Sequence, residues 1–449
     1  MKAPTPRLIA WSAAVLLPAA VLGAVPGGGP VAALLAGGFV LVAAADAWRG
    51  RRTLHAVGVT APPVTRLNVD REGELPLMLT LPARAARRLA LGLALPGELN
   101  PAASQLEVAA PAEALRARVP WRCRPARRGC FALTTAHLGA RSPLGFWEER
   151  RAVPLTGEVR VYPHLLAERR AAAAVFLRRG PFGRHVHRQV GQGREFERLR
   201  EYAPGDSYDD IAWKATARRG RPVTRVHQVE RTQEVYVVLD TARLGARPAE
   251  AEADEGGGHA AGRPAFERQV NAGLILLRAA EQQGDHFGLA AFDQEVRAFV
   301  RARGGRGHFS ACRDAVFALQ PRAVSPDFRG LAGFLRRRLR RRALLVFFTA
   351  LDDAALAEEF TQAVRLIARE HLVLVNMLRP AGVRPMFSRP AASRDEAYAE
   401  LAGHLRWHEL RELQLRLRRL GVSLELLDHE SLTAAAVSRY VEVKRRQRL

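Results

Sequence analysis

The chain has 449 residues, enough for two or three domains that each bury a core. Its formal charge of +24 is almost wholly arginine, with lysine only at Lys2, Lys214 and Lys444, and the basic residues are spread along the chain rather than gathered on one element. That distribution argues against a dedicated nucleic-acid surface, and Cys123, Cys130 and Cys312 are too sparse for a disulfide framework or a zinc site.

Two uncharged runs open the chain. "LIAWSAAVLLPAAVLGAV" spans Leu8 to Val25, "VAALLAGGFVLVAAA" spans Val31 to Ala45, and "PGGGP" joins them. As a helix the first rises about 27 Å, close to the hydrocarbon thickness of a bilayer. The second is shorter and must use Asp46 and Trp48 at the interface. Lys2 and Arg7 precede the pair, Arg49, Arg51 and Arg52 follow it, and the connecting turn is uncharged. This pattern predicts a two-pass hairpin in a bacterial-type plasma membrane, with the lipid bilayer as a partner and both termini cytoplasmic. A cleavable leader ending near "VLGA" is the competing reading; the second apolar run and the arginines behind it oppose export.

From about Val64 to Pro163 the hydrophobic period changes to two. "LPLMLTL" puts Leu75, Leu77, Leu79 and Leu81 on one face, "LALGLAL" does the same with Leu89, Leu91, Leu93 and Leu95, and "LRARVPWRC" alternates Leu115, Ala117, Val119, Trp121 and Cys123 against arginines. Such strands, punctuated by Pro and Gly, predict an antiparallel sandwich closed by "VRVYP" at Val159 to Pro163. The stretch from Leu165 to Gln192 has no clean period and reads as a connection.

After Glu234 come continuous apolar runs: "VYVVLD" (Val235 to Asp240), "HFGLAAF" (His286 to Phe292), "LLVFFTA" (Leu344 to Ala350), "HLVLVNML" (His371 to Leu378) and "VSLELL" (Val422 to Leu427). Helical patterns lie between most of them, including one from Phe266 to Gln283 stopped by Gly284. Strands buried on both faces and alternating with helices predict a parallel, doubly wound sheet. Ligands of such sheets sit at the carboxyl ends of the strands, here near Asp240 and the residues after Ala350. The acidic, glycine-rich insertion at residues 249–258 is expected to be a loop on that edge.

Between these regions lies "GREFERLREYAPGDSYDDIAWKATARRG", Gly193 to Gly220. Its bases are Arg194, Arg198, Arg200, Lys214, Arg218 and Arg219; its acids are Glu195, Glu197, Glu201, Asp206, Asp209 and Asp210; its net charge is zero. Read locally, Pro204 and Gly205 make a turn, Ser207 with Asp210 a capping box, Tyr208, Ile211, Ala212 and Ala215 a helical face, and Gly220 a stop. The charges of "REFERLREY" exceed what a capped helix needs. Exposed ion pairs stabilise by only about 0–1 kcal/mol each, whereas a mixed-charge surface selects between partners.

The stretch "LREYAPGDSYDDIAWKATARRG" followed by "VYVVLD" resembles the signature of domain of unknown function family 58, and "RRGCFAL", "SPLGFWE" and "VRVYP" extend the resemblance over nearly the whole chain. The resemblance implies an N-terminal transmembrane pair, a β-rich segment and a von Willebrand factor A-like domain, and it implies a MoxR-type AAA+ ATPase as partner. The family usually has a basic residue where Asp209 or Asp210 stands and an acidic one at Ala212. Von Willebrand A domains often bind Mg²⁺ through Asp-x-Ser-x-Ser after the first strand. The corresponding positions are Asp240, Ala242 and Leu244, so two hydroxyl ligands are missing; Asp352 and Asp353 could add a carboxylate. The expectation is a degenerate metal position at Asp240, with no metal and no cofactor.

Enzyme signatures are missing too. There is no phosphate loop, no metalloprotease helix and no nucleophile elbow; "GQGREF" lacks a third glycine and a preceding strand. His185 and His187 alternate among arginines and read as solvent-facing. Leu410, Leu413, Leu417 and Leu420 keep the spacing of a helix packed on a sheet, and "KRRQRL" reads as a solvated tail.

The expected organisation is multi-domain. It comprises a transmembrane helical hairpin (1–52), a β-sandwich-like segment (53–165), a connector with the charge-balanced signature (166–233), and an α/β doubly wound von Willebrand A-like domain (234–449). The expected function is a non-catalytic membrane-anchored adaptor, with Arg200, Asp206, Asp209, Asp210, Trp213 and Arg218 as the partner-docking residues. The alternatives are a basic membrane-associated nucleic-acid binder and a metal-dependent ligand-binding A domain.

Overall fold

The computed structural model describes residues 2–50, 54, 57–82, 88–109, 115–178, 190–203, 208, 211–228, 233–247, 264–386, 388 and 393–446. They form two units, Met1–His164 and Leu165–Leu449.

The first unit begins with β1 (Lys2–Pro4) and the helices α1 (Pro6–Gly23) and α2 (Gly29–Gly50). Thr5 caps α1, accepting from the Leu8 N–H, and Pro6 fits the first turn because its missing donor is not needed there. Gly27, at φ +83°, turns the chain between the helices. Both helices are long and apolar enough to cross a membrane. Ile9, Leu17, Val21, Leu34, Val40 and Leu41 face outward rather than into a core. An apolar helix exposed all round suits lipid, and the pair suggests a membrane protein.

The strands follow as β2 (Gly58–Thr60), β3 (Val64–Asn68), β4 (Gly73–Thr80), β5 (Arg88–Leu93), β6 (Gln105–Ala109), β7 (Arg116–Cys123), β8 (Gly129–Ala132), β9 (Thr135–Arg141), β10 (Trp147–Pro154) and β11 (Glu158–Tyr162). They make three sheets, ordered β1-β10-β9-β5-β6, β2-β4-β7 and β3-β11-β8. One core is shared by Leu75, Leu77, Leu79, Leu89, Leu91, Val119, Trp121, Leu138, Val159 and Val161, which are the inward positions of the period-two pattern. Two details differ from expectation. Leu115 precedes β7 and is 64% exposed. The closing strand β11 pairs with β3 in parallel, because most of the segment lies between them and leaves room for a crossover.

Asp46 is not an interface anchor but a buried clamp. The turn between β9 and β10 brings three donors to its carboxylate: the Ser142 hydroxyl, the Leu144 N–H at 2.9 Å and the Phe146 N–H at 3.3 Å. Around it the Trp147 indole N–H donates to Ala43 O at 2.9 Å, and the Thr5 hydroxyl donates to Gly145 O at 2.6 Å. Both helix feet are thereby tied to one sandwich turn.

The second unit starts with α3 (Leu166–Arg178), where the sequence suggested only a connection. Its alanines hide the period, but Ala172 is buried against the core and Glu168 accepts from the Asn271 amide at 2.6 Å. Next come β12 (Val190–Glu201), α4 (Trp213–Arg219) and β13 (Val223–Gln228), with β12 and β13 forming an antiparallel ribbon. The helix begins at Trp213; Pro204, Gly205, Ser207 and Asp210, the expected turn and capping box, lie outside the described residues. Ile211 is already bridged to Thr224, and the Ala212 N–H donates to Val223 O at 2.8 Å, so pairing with β13 overrides the local helix pattern. Gly220 ends α4 as expected, in the left-handed region at φ +67°.

The main sheet is built from β14 (Glu234–Asp240), α5 (Ala265–Gln282), β15 (His286–Phe292), β16 (Val296–Arg303), α6 (Arg306–Val316), α7 (Phe328–Arg338), β17 (Ala343–Phe348), α8 (Ala354–Ile367), β18 (Leu372–Leu378), α9 (Arg394–Arg419), β19 (Ser423–Leu427) and α10 (Leu432–Arg445). Its order is β16-β15-β14-β17-β18-β19, parallel except for the edge strand β16. Alternate residues of β14 serve opposite layers. Val235, Val237 and Leu239 meet Val270, Leu274 and Tyr440 of α5 and α10, while Tyr236 and Val238 meet the layer of Leu331, Phe360 and Leu413 from α7, α8 and α9. The sheet is therefore doubly wound. Gly273 lets α5 approach closely: a Cβ there would stand 2.8 Å from Val237. Leu410, Leu413 and Leu417 are buried as expected. The C-terminal basic run is partly anchored rather than solvated, since Lys444 and the Tyr440 hydroxyl both donate to the buried Asp285 carboxylate.

Asp46→Ala would leave three donors at the turn without an acceptor, at a cost of about 1–3 kcal/mol for each that stays buried. Thermal unfolding of the full chain in detergent is expected to show a clear drop in midpoint for Asp46→Ala and none for Glu72→Ala, an exposed acid of the same unit.

Candidate functional site

The strand order of the main sheet reverses at β14, which puts the end of that strand in the crevice where doubly wound sheets hold ligands. Asp240 ends β14 and is 5% exposed. Both of its oxygens are engaged within the chain: Oδ1 accepts the Ala242 N–H at 2.9 Å, and Oδ2 accepts the Thr349 hydroxyl, from the residue after β17, at 2.6 Å. Beside it, the Thr241 hydroxyl donates to Phe292 O at 3.0 Å and lies 3.4 Å from Asp293. Asp293 follows β15, is buried, and pairs with Arg297 at 2.9 Å and more distantly with Arg322 at 3.9 Å. Burial pushes the Asp240 carboxyl up from 3.8 to about 6; the hydrogen bonds from Thr349 and Ala242 oppose the rise and the nearby Asp293 charge adds to it.

The two acids after β17 are occupied elsewhere. Asp353 caps α8 by accepting from the Ala355 and Leu356 N–H groups and meets Arg243 at 3.5 Å, and Asp352 pairs with Arg247. Ala242 and Leu244 are buried without hydroxyls to offer. Mg²⁺ requires near-octahedral oxygen coordination at about 2.0–2.1 Å. A carboxylate already bonded to two internal donors, beside an Asp293 that is paired with Arg297, does not fit it. Among the described residues no cluster of three His, Cys, Asp or Glu side chains is arranged to hold a metal. The sequence pointed to Asp240 but not to Thr349 or Asp293, which are brought to it from other strands.

Of the residues expected to dock a partner, Arg200, Trp213 and Arg218 are described, whereas Asp206, Asp209 and Asp210 lie outside the described residues, as do His185, His187 and the insertion at 249–258. Arg200 is half-buried on β12 and its guanidinium donates to Glu201 O at 3.4 Å. Glu201 pairs with Arg221 at 2.5 Å between exposed side chains. Trp213 and Arg218 share the short helix α4, with Trp213 66% exposed. Tyr208, not singled out beforehand as a docking residue, is 74% exposed and its ring centroid lies 6.1 Å from that of Tyr202. The structure thus brings two exposed aromatics and the basic residues Lys214, Arg218, Arg219 and Arg221 onto the β12–α4–β13 element.

The geometry shows a doubly wound α/β unit whose strand-end acid is held internally, in a chain with two N-terminal helices long and apolar enough to cross a membrane. Residues 198–384, from within β12 to beyond β18, match the family described as protein of unknown function DUF58. None of the curated proteins compared matches it. Among solved structures, the chain is similar to the conserved hypothetical protein BatB from Bacteroides thetaiotaomicron (11% identity, 48% of this chain and 99% of that one, TM-score 0.28). It is similar also to an aerotolerance-related membrane protein from Bacteroides fragilis NCTC 9343 (13% identity, 47% and 98%, TM-score 0.27). A further similarity is to the PilB minor pilin from Streptococcus sanguinis (8% identity, 91% and 97%, TM-score 0.31). At these TM-scores the fold description rests on the strand order alone.

Asp240 sets a pH dependence. Its folded carboxyl holds a proton more tightly than the unfolded one, so stability is greatest below about pH 4, falls as pH rises toward about 6, and is level above. The rise from 3.8 to about 6 corresponds to about 3 kcal/mol. In urea unfolding of the full chain in detergent, that decline is expected for the native sequence and absent in Asp240→Asn. Calorimetric titration with Mg²⁺ is expected to give no heat that depends on Asp240; micromolar binding abolished by Asp240→Ala would contradict the internal engagement of the carboxylate.

Proposed function

We propose that the protein is a non-catalytic, membrane-anchored adaptor whose second unit is von Willebrand A-like and docks a partner protein through the β12–α4–β13 element. By family resemblance the partner is a MoxR-type AAA+ ATPase, and the process is assembly or maturation of protein complexes. The observation that carries this reading is the exposed aromatic and basic surface of Tyr208, Trp213 and Arg218. Tryptophan, tyrosine and arginine dominate the energetics of protein interfaces. The order of the main sheet supports a von Willebrand A-like fold, and the engaged Asp240 supports a domain that works without a metal. Positive charge at both outer ends of the hairpin supports cytoplasmic termini, on the side where such an ATPase would act.

The test is capture of the ATPase by the full chain from solubilised membranes, with and without ATP. Trp213→Ala combined with Arg218→Glu is expected to lower capture at least about tenfold, the effect of losing one interface hot spot, without changing the melting midpoint. Unchanged capture would remove α4 from the interface, and substrate turnover by highly pure protein would end the non-catalytic reading.

A further inference from the structure

The membrane hairpin carries an apolar groove that its two helices do not close. Trp11 and Val15 from α1, Leu35, Phe39 and Val42 from α2, and Phe146 from the β9–β10 turn line a space of about 400 Å³. Phe146 is a sandwich residue, yet its ring centroid lies 6.1 Å from that of Phe39, inside the apolar span of α2. A Cβ placed on Gly38 would meet no atom within 4 Å, so this part of the groove is open.

One end of the groove is charged. Arg7, Trp11 and Val15 recur every four residues and share a face of α1, which puts the arginine at the foot of the slot. Its guanidinium lies at the β9–β10 turn, where a Cβ on Gly145 would stand 3.3 Å from an Arg7 nitrogen. Arg7 is exposed, and among the described residues no carboxylate pairs with it. Asp46, at the same end of the hairpin, is fully occupied by the donors of Ser142, Leu144 and Phe146. An apolar slot ending in a free cation is complementary to an amphiphile with an acyl tail and an anionic head.

We propose that this groove is a binding site for one anionic phospholipid of the surrounding bilayer, with an acyl chain along the Trp11–Phe39 slot and the headgroup phosphate on Arg7. A helix from a second copy is the competing occupant. Copies in one membrane share an orientation, so a two-fold partner would bring its own Arg7 to the same depth and add like charge to the contact. The Arg7 guanidinium, with no carboxylate partner among the described residues, favours the lipid. The site rests on the reading that α1 and α2 span the bilayer.

The test uses the full chain in nanodiscs of phosphatidylcholine doped with phosphatidylglycerol, with retained lipid measured by native mass spectrometry after transfer to detergent. The native protein is expected to keep phosphatidylglycerol selectively. Arg7→Gln is expected to lower that retention about fivefold, the effect of one basic contact with an anionic head, and Gly38→Leu to lower it by filling the slot. Arg49→Gln, a basic residue of the same interface outside the groove, should leave it unchanged. Equal retention of both lipids, no effect of Arg7→Gln, or an equal effect of Arg49→Gln would overturn the site, as would a dimer that forms through the groove and excludes lipid. Alkaline carbonate extraction separates the two readings: release from membranes would remove the spanning hairpin and the site with it, whereas integration without lipid preference would remove the site alone.

Discussion

The second unit depends on one strand. Val235 to Leu239 of β14 have no exposed surface, because β15 and β17 pair with β14 in parallel on both edges and helices cover both faces. A strand so enclosed can satisfy its backbone only through its two neighbours and its side chains only through two packed layers. Its end is equally constrained. Asp240 emerges at the reversal of strand order, in a crevice too dry to hydrate a carboxylate cheaply, so it must find donors within the chain. Thr349 and the Ala242 N–H supply them, and burial nevertheless leaves the carboxyl with an affinity for protons well above the ordinary one.

The first unit solves a related problem with the opposite consequence. Asp46 is a buried acid near the end of an apolar helix, and the β9–β10 turn wraps three donors around it. Where Asp240 closes a crevice on itself, Asp46 joins two kinds of structure, since its donors come from a sheet and its backbone from a membrane helix. The turn can do this because Gly145 takes a positive φ of +77°, which lets the chain double back and aim the Leu144 and Phe146 N–H groups at one carboxylate.

Much of this architecture is legible in the sequence because hydrophobic period reports burial. The leucines of β4 and β5, the continuous runs of β14, β15, β17, β18 and β19, and the two apolar helices all announce themselves that way. Where the period is masked, the reading fails. Alternating arginines conceal the edge strand β16, and alanines conceal α3. Ala212, within the helical face of the sequence pattern, is instead held by β13, a tertiary contact that local propensity does not record. The polar clusters are hidden for a different reason: Asp46 meets Ser142 across 96 residues and Asp240 meets Thr349 across 109. Spacing along a chain carries no trace of such pairs, although a lone acid at the end of an apolar run signals that some partner must exist.

These constraints also explain where exposed chemistry remains. In the doubly wound sheet the crevice acids are bonded to their own chain, and the two acids beyond β17 cap a helix or pair with arginines. Among the described residues of the β12–α4–β13 region, Tyr208 and Trp213 stay exposed. The DUF58 match runs from residue 198 to 384 and so takes in the end of β12, α4 and β13 together with the sheet through β18. Tyr208 and Trp213 are largely exposed beside Lys214, Arg218, Arg219 and Arg221, while Ile211, Ala212 and Val223 of the same region are buried, so the element holds its place through its aliphatic residues and leaves its large aromatics uncovered.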